Sequence, residues 1–311
     1  MKWKIVNLLL LPFLLFPFSS FSHVGYVVNT SANDILLKNL WLEKIWNAFS
    51  SNGIFLIIII FVSITIGYLL ALYISKTKTY QKISDKLHAF SKYNTYIVSV
   101  AVLIYLINLA ISKEFISPFV HTIEILITLQ YIIAILIILG FILKKNYITF
   151  AGSILGIIGY VASIIISKNI YIFGNAEVLS IFVYLLLACD VIKTKIIKEH
   201  VLAFGIGFSL MFLAFYEKIF KPHLSALVVE QYNLQNYIPM TTELWILTSA
   251  IIETLIGLLL IIPHTRKAIS IPTLLVLSMS LLIFKENVFS HITLFAIIIL
   301  FILTKTQKTI F

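Results

Sequence analysis

Nine long apolar stretches separated by short polar segments dominate the pattern along this chain. They run 54–74, 95–111, 123–143, 147–166, 175–192, 201–216, 244–262, 270–284 and 288–304. A helix rises about 1.5 Å per residue, so roughly 20 apolar residues cross a hydrocarbon core of ~30 Å. Backbone polar groups have no water to bond inside lipid, and a helix satisfies them within its own segment. The pattern therefore predicts an all-α, polytopic transmembrane helical bundle.

A separate element precedes the first span. Lys2 and Lys4 lead into an apolar run from Ile5 to Phe18, and Ser20 and Ser22 stand at −3 and −1 of a cleavage point. A charged start, an apolar core and small residues before the cut make a secretory signal over 1–22. Cleavage would leave His23 as the mature N-terminus, outside the cytoplasm. If uncleaved, the segment adds a tenth span without inverting the others.

The lysines set the orientation. With the mature N-terminus outside, the inner segments are 75–94, 144–146, 193–200, 263–269 and the C-terminal tail. Of the 23 Lys and Arg residues, fourteen fall in these segments, seven in the outer ones and two in the signal. Cytoplasmic loops collect such residues, so a multi-pass protein of the plasma (cell) membrane with a cytoplasmic C-terminus is expected.

Composition agrees: 60% of residues are hydrophobic and 12% charged, with a mean hydropathy of +1.05. The net charge of +10 needs no nucleic-acid partner, because basic residues flanking spans meet the headgroups of the lipid bilayer. The single Cys189 excludes an intramolecular disulfide.

Between signal and first span lies an outer segment, 23–50. Ser31 and Asp34 have capping-box spacing, and Leu37, Trp41, Ile45 and Phe49 recur every four residues. That stripe predicts an amphipathic helix over 34–49 at the interface, with Trp41 and Trp46 at headgroup depth. A domain of 51–94 follows, holding the first span and a basic inner loop.

The remainder shows a faint internal repeat. SKEFISPFV (112–120) and FYEKIFKPHL (215–224) each follow one span. Each leads through a further span to a basic turn, KKN (144–146) or HTRK (264–267), and two more spans end at KTK (193–195) and KTQ (305–307). Two parallel four-helix units, 95–195 and 196–311, are expected, related by an axis along the membrane normal.

The second unit resembles a known family. FYEKIFKPHLSALVVEQYNL (215–234), IIETLIGLLLIIPHTRKAI (251–269) and FKENVFSHITLFAI (284–297) are similar to DoxX-like membrane proteins over roughly 200–304, and HVGYVV (23–28) resembles the mature start of longer members. The matching positions are Glu217, Lys218, Pro222, Glu253, Gly257, Arg266, Glu286 and His291. The resemblance implies a four-helix membrane fold and a subunit of a quinone-linked membrane redox complex. Relatives that handle disulfides would bring paired cysteines, which this chain lacks.

Independently of family, the ionisable residues in apolar surroundings are the candidate chemistry. Glu253 falls near the middle of its span, where a charge is costly and needs a partner. Lys218 and His291 are the bases in reach, and Glu217 completes a candidate cluster. Secondary candidates are Glu177, which opens a span, Glu286 and Arg266. His121 and Glu124 are read as an i,i+3 pair on one helix face. A carboxylate at mid-depth serves either as a proton relay or ligand orienter, or as a neutral tie between helices. No two histidines stand at i,i+4 on a span and no CxxC or HExxH occurs. Neither a metal nor a haem is therefore expected, and His23 is the one candidate metal ligand. A quinone enters only through the resemblance. No nucleotide loop or nucleophile elbow is present. Gly152 and Gly156 have the spacing of close helix approach, within the bundle or against another copy in a homo-oligomer. The reading is an integral membrane subunit or scaffold without catalytic activity of its own. The alternative is a small-solute or ion permease using the buried carboxylate.

Overall fold

The computed structural model describes residues 34–121, 124–191, 196–237, 239–284 and 288–304. The signal segment, His23 and Glu286 lie outside the described residues. In order, the elements are α1 (Asp34–Ser75), α2 (Lys78–His88), α3 (Asn94–Ile111), β1 (Glu114–Phe115), β2 (Ser117–His121), α4 (Glu124–Ile142), α5 (Asn146–Ser167), α6 (Ala176–Ala188), α7 (Lys198–Lys218), α8 (Pro222–Gln231), α9 (Thr242–Ile261), α10 (Pro263–Phe284) and α11 (Ile292–Leu303). Short 3-10 turns link several of them.

Among the described residues, seven segments are long and apolar enough to cross a membrane. They are Ser91–Ile111, Glu124–Ile142, Asn146–Ser167, Ile170–Ala188, Lys198–Lys218, Thr242–Ile261 and Pro263–Ile283. Phe61–Ser75 and Val288–Leu303 are shorter apolar helices at the positions of the first and ninth expected spans. This is the helix composition of an integral membrane protein.

Chain contacts divide the protein into two compact units, each assembled from separated stretches. The first takes in Met1–Ile66, Leu213–Leu255 and Pro272–Glu286. Its core joins the expected amphipathic stripe to the middle of the chain: Trp41 and Ile45 pack on Ala226, Ile246 and Leu247, flanked by Phe49, Ile219 and Ile251. Trp46, on the other face, is exposed. The stripe thus covers α8 and α9, and burying a side chain such as Ile45 contributes about 1.5–3 kcal/mol. A second cluster holds Val229, Leu234 and Trp245.

The second unit takes in Gly67–Phe212, Ile256–Ile271 and Asn287–Phe311. Here α3 packs on α4 and α11, and α5 on α4 and α6. Cβ atoms added at Gly152 or Gly156 would run into Ile137 and Leu136, or into the Phe182 ring, so this pair serves packing inside the unit. Neither unit coincides with 95–195 or 196–311.

Several expectations change. The helix read over 34–49 and the span read over 54–74 are one continuous helix of 42 residues. Nothing between them breaks it: no proline intervenes, and one glycine costs only about 1 kcal/mol. The basic loop 75–94 contains α2, capped by the Thr77 hydroxyl, which accepts from the Tyr80 N–H. The stretch 221–243, expected as a loop, contains α8, opened by Pro222 at its first turn, where a fixed φ suits the helix and no donor is lost. Helix α10 begins at Pro263, so Arg266 and Lys267 lie in its first turns rather than in a loop.

The largest difference lies at SKEFISPFV, which forms a two-stranded antiparallel hairpin with Glu114 opposite His121 and Phe115 opposite Ser117. His121 therefore stands on a strand and Glu124 opens α4, which overturns their reading as an i,i+3 pair on one helix. Phe115, Ile116 and Ser117 are fully buried. The Ile116 N–H donates to Gln130 Oε1 at 2.6 Å and its carbonyl accepts from the Tyr105 hydroxyl at 3.3 Å. Gln130 Nε2 donates to the carbonyls of Leu106 at 2.7 Å and Glu114 at 3.2 Å. One side chain on α4 thus bonds two main-chain groups of the hairpin and one of α3. Ile116 itself has φ 60°, a left-handed conformation costing a β-branched residue on the order of 1–3 kcal/mol. Complete burial and the two main-chain hydrogen bonds hold it there.

Candidate functional site

Two buried polar centres stand out, one in each unit. In the first, Lys218 ends α7 and Glu253 lies in the second half of α9. Cα–Cβ bonds tilt toward a helix N-terminus, so Lys218 leans back along α7 and Glu253 toward the start of α9. Their charged groups meet at 2.6 Å, lysine Nζ donating to Oε2, with both residues 1% exposed. A pair so desolvated persists only because each charge compensates the other. Glu217, also buried, accepts a hydrogen bond from Ser225 Oγ on α8 at its main-chain carbonyl, 3.4 Å away. His223 and Trp245 are buried in the same unit.

The structure thus brings Lys218 and Glu253 together as expected and keeps Glu217 in their unit. His291 belongs to the second unit, where it closes a 3-10 turn ahead of α11 and is buried. Glu124 is exposed. Arg266 is a helix cap: Nε donates to the Leu260 carbonyl at 2.9 Å and Nη2 to that of Ile261 at 3.0 Å, and the guanidinium sits 5.1 Å from the Phe301 ring centroid. Lys267 does the same for α11, donating to the Thr304 carbonyl at 2.9 Å. Cations at helix C-termini satisfy the last carbonyls and complement the dipole.

The second centre was only glimpsed in the sequence, through Glu177. This residue enters α6 from a 3-10 segment, Ile170–Asn175, and is 3% exposed. Ser209 Oγ, at the middle of α7, donates to Glu177 Oε2 at 2.6 Å and accepts from the Glu177 N–H at 3.0 Å. Asn175 Nδ2 donates to Oε1 at 3.4 Å, and Ser117 Oγ in the hairpin donates to Asn175 Oδ1 at 3.0 Å. All four side chains are buried. The row joins the hairpin, the 3-10 segment, α6 and α7. Irregular backbone at membrane depth is tolerated only where protein or a lined cavity covers it.

Further along α9 the packing closes. A Cβ at Gly207 would lie 2.6 Å from the Gly257 carbonyl oxygen, and one at Gly257 2.7 Å from that of Gly207. The two helices touch backbone to backbone there. Among the described residues, no group of three or more His, Cys, Asp or Glu is placed to hold a metal ion.

Comparison with family models, with curated proteins and with solved structures returned no match.

Proposed function

We propose that this protein is a non-catalytic subunit or scaffold of a multi-pass membrane assembly. The observation that carries this reading is the closed Lys218–Glu253 pair. A carboxylate that relays protons or binds solute must lose and regain a partner, whereas this one is held by a buried ammonium. A plasma-membrane location, an outer N-terminus after signal cleavage, nine spans and the repeated four-helix units belong to the same proposal. So does a quinone-linked redox complex as partner, supported by the DoxX-like resemblance alone.

The test is purification of the tagged chain from native membranes under mild solubilisation, followed by reconstitution of the chain alone. Stoichiometric co-purification of another membrane subunit, with no solute flux from the chain alone, supports the reading. Flux in vesicles that Glu253→Gln abolishes overturns it. A second reading, an ion permease, is favoured by the row at Glu177, which sets a carboxylate beside the middle of α7.

A further inference from the structure

Helix α2, in the second unit, carries a side that the rest of the unit leaves uncovered. It packs on α11, and Tyr80, Ser84 and Leu87, at i, i+4 and i+7, are buried or half-buried. At about 100° per residue, a second side lies roughly a quarter-turn away. It holds Thr79 and Ile83, with Phe90 just past the end of the helix. Ile83 and Phe90 are 51% and 55% exposed. Gln81 points the opposite way, and Lys78, Lys82 and Lys86 form an exposed ridge between, at i, i+4 and i+8.

Like charges four residues apart repel, so this ridge works against the helix that bears it. Among the described residues, none of the three lysines makes an ion pair. Asp85 is the one acid of α2, and it attracts Lys267 of α10. The counter-charge to the ridge therefore comes from outside the chain. Lysines beside membrane spans are common and need no apolar neighbours. Here they border exposed Ile83 and Phe90, which is the composition of helices that lie in the membrane interface.

The connections select the occupant. Lys76 and Thr77 alone separate α2 from the apolar stretch Phe61–Ser75, and residues 89–93 join it to α3, in the crossing segment Ser91–Ile111. A chain reaches at most about 3.6 Å per residue, so such links hold α2 within roughly a Debye length, ~8 Å, of the membrane surface. A protein arriving from solvent would meet Gln81 and Asp85 first. We propose that α2 is an interfacial helix that binds anionic phospholipid. Ile83 and Phe90 enter the boundary of the acyl chains, while the lysine stems lie along apolar surface and bring their ammonium groups to the phosphates.

The experiment places a bimane label on Thr79→Cys in the full chain, with Cys189→Ala, in phosphatidylcholine nanodiscs. A fixed small fraction of the lipid carries brominated acyl chains, as phosphatidylglycerol or as phosphatidylcholine, and quenches the label on contact. The expected result is several-fold stronger quenching by brominated phosphatidylglycerol, with high salt removing that preference. Lys82→Gln with Lys86→Gln should bring the two lipids to equal quenching while circular dichroism stays helical. A label on Gln81→Cys should be quenched far less by either lipid. Equal quenching by the two lipids with the lysines intact, or a preference that survives high salt or the two glutamines, overturns the proposal. Should the double variant fail to fold, high salt decides. A label at 79 quenched no more than one at 81 also overturns it, and is the outcome if an acidic protein surface covers this side instead. The scaffold reading rests on Lys218 and Glu253, so failure here leaves it untouched.

Discussion

Lys218 Nζ and Glu253 Oε2 meet 2.6 Å apart although 35 residues separate them in the chain. Such a pair contributes little net stability, because desolvation of both ions offsets their attraction, yet breaking it leaves one charge buried alone. Glu253→Gln and Lys218→Met should each lower unfolding free energy by about 3–5 kcal/mol. The double replacement Lys218→Met with Glu253→Leu should recover most of that loss. Denaturant titration of the purified variants measures this, and a double variant as unstable as the sum of the singles would show that the pair is not a closed unit.

The lone thiol should be nearly inert. Burial, and secondarily the Asp190 carboxylate, push Cys189 up to about 11, with Lys198 opposing. Its Sγ–H donates to the Leu185 carbonyl, with sulfur and oxygen 3.1 Å apart. Only the thiolate reacts, and a shift of about two units leaves ~100-fold less of it at pH 8. Maleimide labelling of the native protein should therefore be slower than labelling after SDS unfolding by at least that factor. Equal rates would place Cys189 in open solvent.

That inertness makes an accessibility test of topology clean. Five of the membrane-crossing segments separate Gln81 from Asn236, so the two positions should face opposite sides. Both are exposed, whereas Ser84 and Ser225, in the same two loops, are buried and would make poor probes. Gln81→Cys should label only from the cytoplasmic side and Asn236→Cys only from outside. Labelling of both from one side sinks the orientation.

What the sequence revealed followed from length and period. Twenty apolar residues have one way to satisfy their backbone in lipid, so seven segments long enough to cross were readable among the nine expected. The stripe of Trp41, Ile45 and Phe49 was readable as a face, although only the structure shows α8 and α9 beneath it. Glu253 was visible because a carboxylate in the middle of an apolar run demands a partner, and Lys218 and His291 were the bases in reach. The row at Glu177 had no such signature. Ser117, Asn175 and Ser209 are ordinary polar residues spread over the chain, and only folding brings them to one carboxylate. The hairpin escaped for a related reason: two of its main-chain groups bond Gln130, a glutamine inside a span that reads simply as a helix residue.

Glu114 should make stability depend on pH. Burial raises its carboxyl from the ordinary 4.5 to about 7. The folded state then holds the proton more tightly than the unfolded one. The favourable contribution is fully present below about pH 4.5 and is lost as pH rises through about 7. The unfolding midpoint should fall between pH 5 and 8, and Glu114→Gln should flatten that part of the profile. A wild-type profile already flat there would refute the assignment.

Gln130 offers the sharpest test of the hairpin. Its side chain accepts from the Ile116 N–H and donates to the Leu106 and Glu114 carbonyls, so one residue ties the hairpin to α3 and α4. Gln130→Leu keeps similar bulk and apolar packing but removes every bond. An unmet buried donor or acceptor costs about 1–3 kcal/mol, and the Ile116 N–H, held at φ 60° by its surroundings, has the least freedom to find another partner. The expected loss is roughly 2–5 kcal/mol, with faster amide exchange concentrated in 114–121. Gln130→Glu separates bonding from bulk. Its carboxylate still accepts from Ile116, while the donors to Leu106 and Glu114 vanish. Since Glu114 is itself an acid, a second carboxyl beside its strand should make this variant weaken further as pH rises from 5 to 8. Exchange in the hairpin no faster in Gln130→Leu than in the unaltered chain would mean that the turn is held by burial alone.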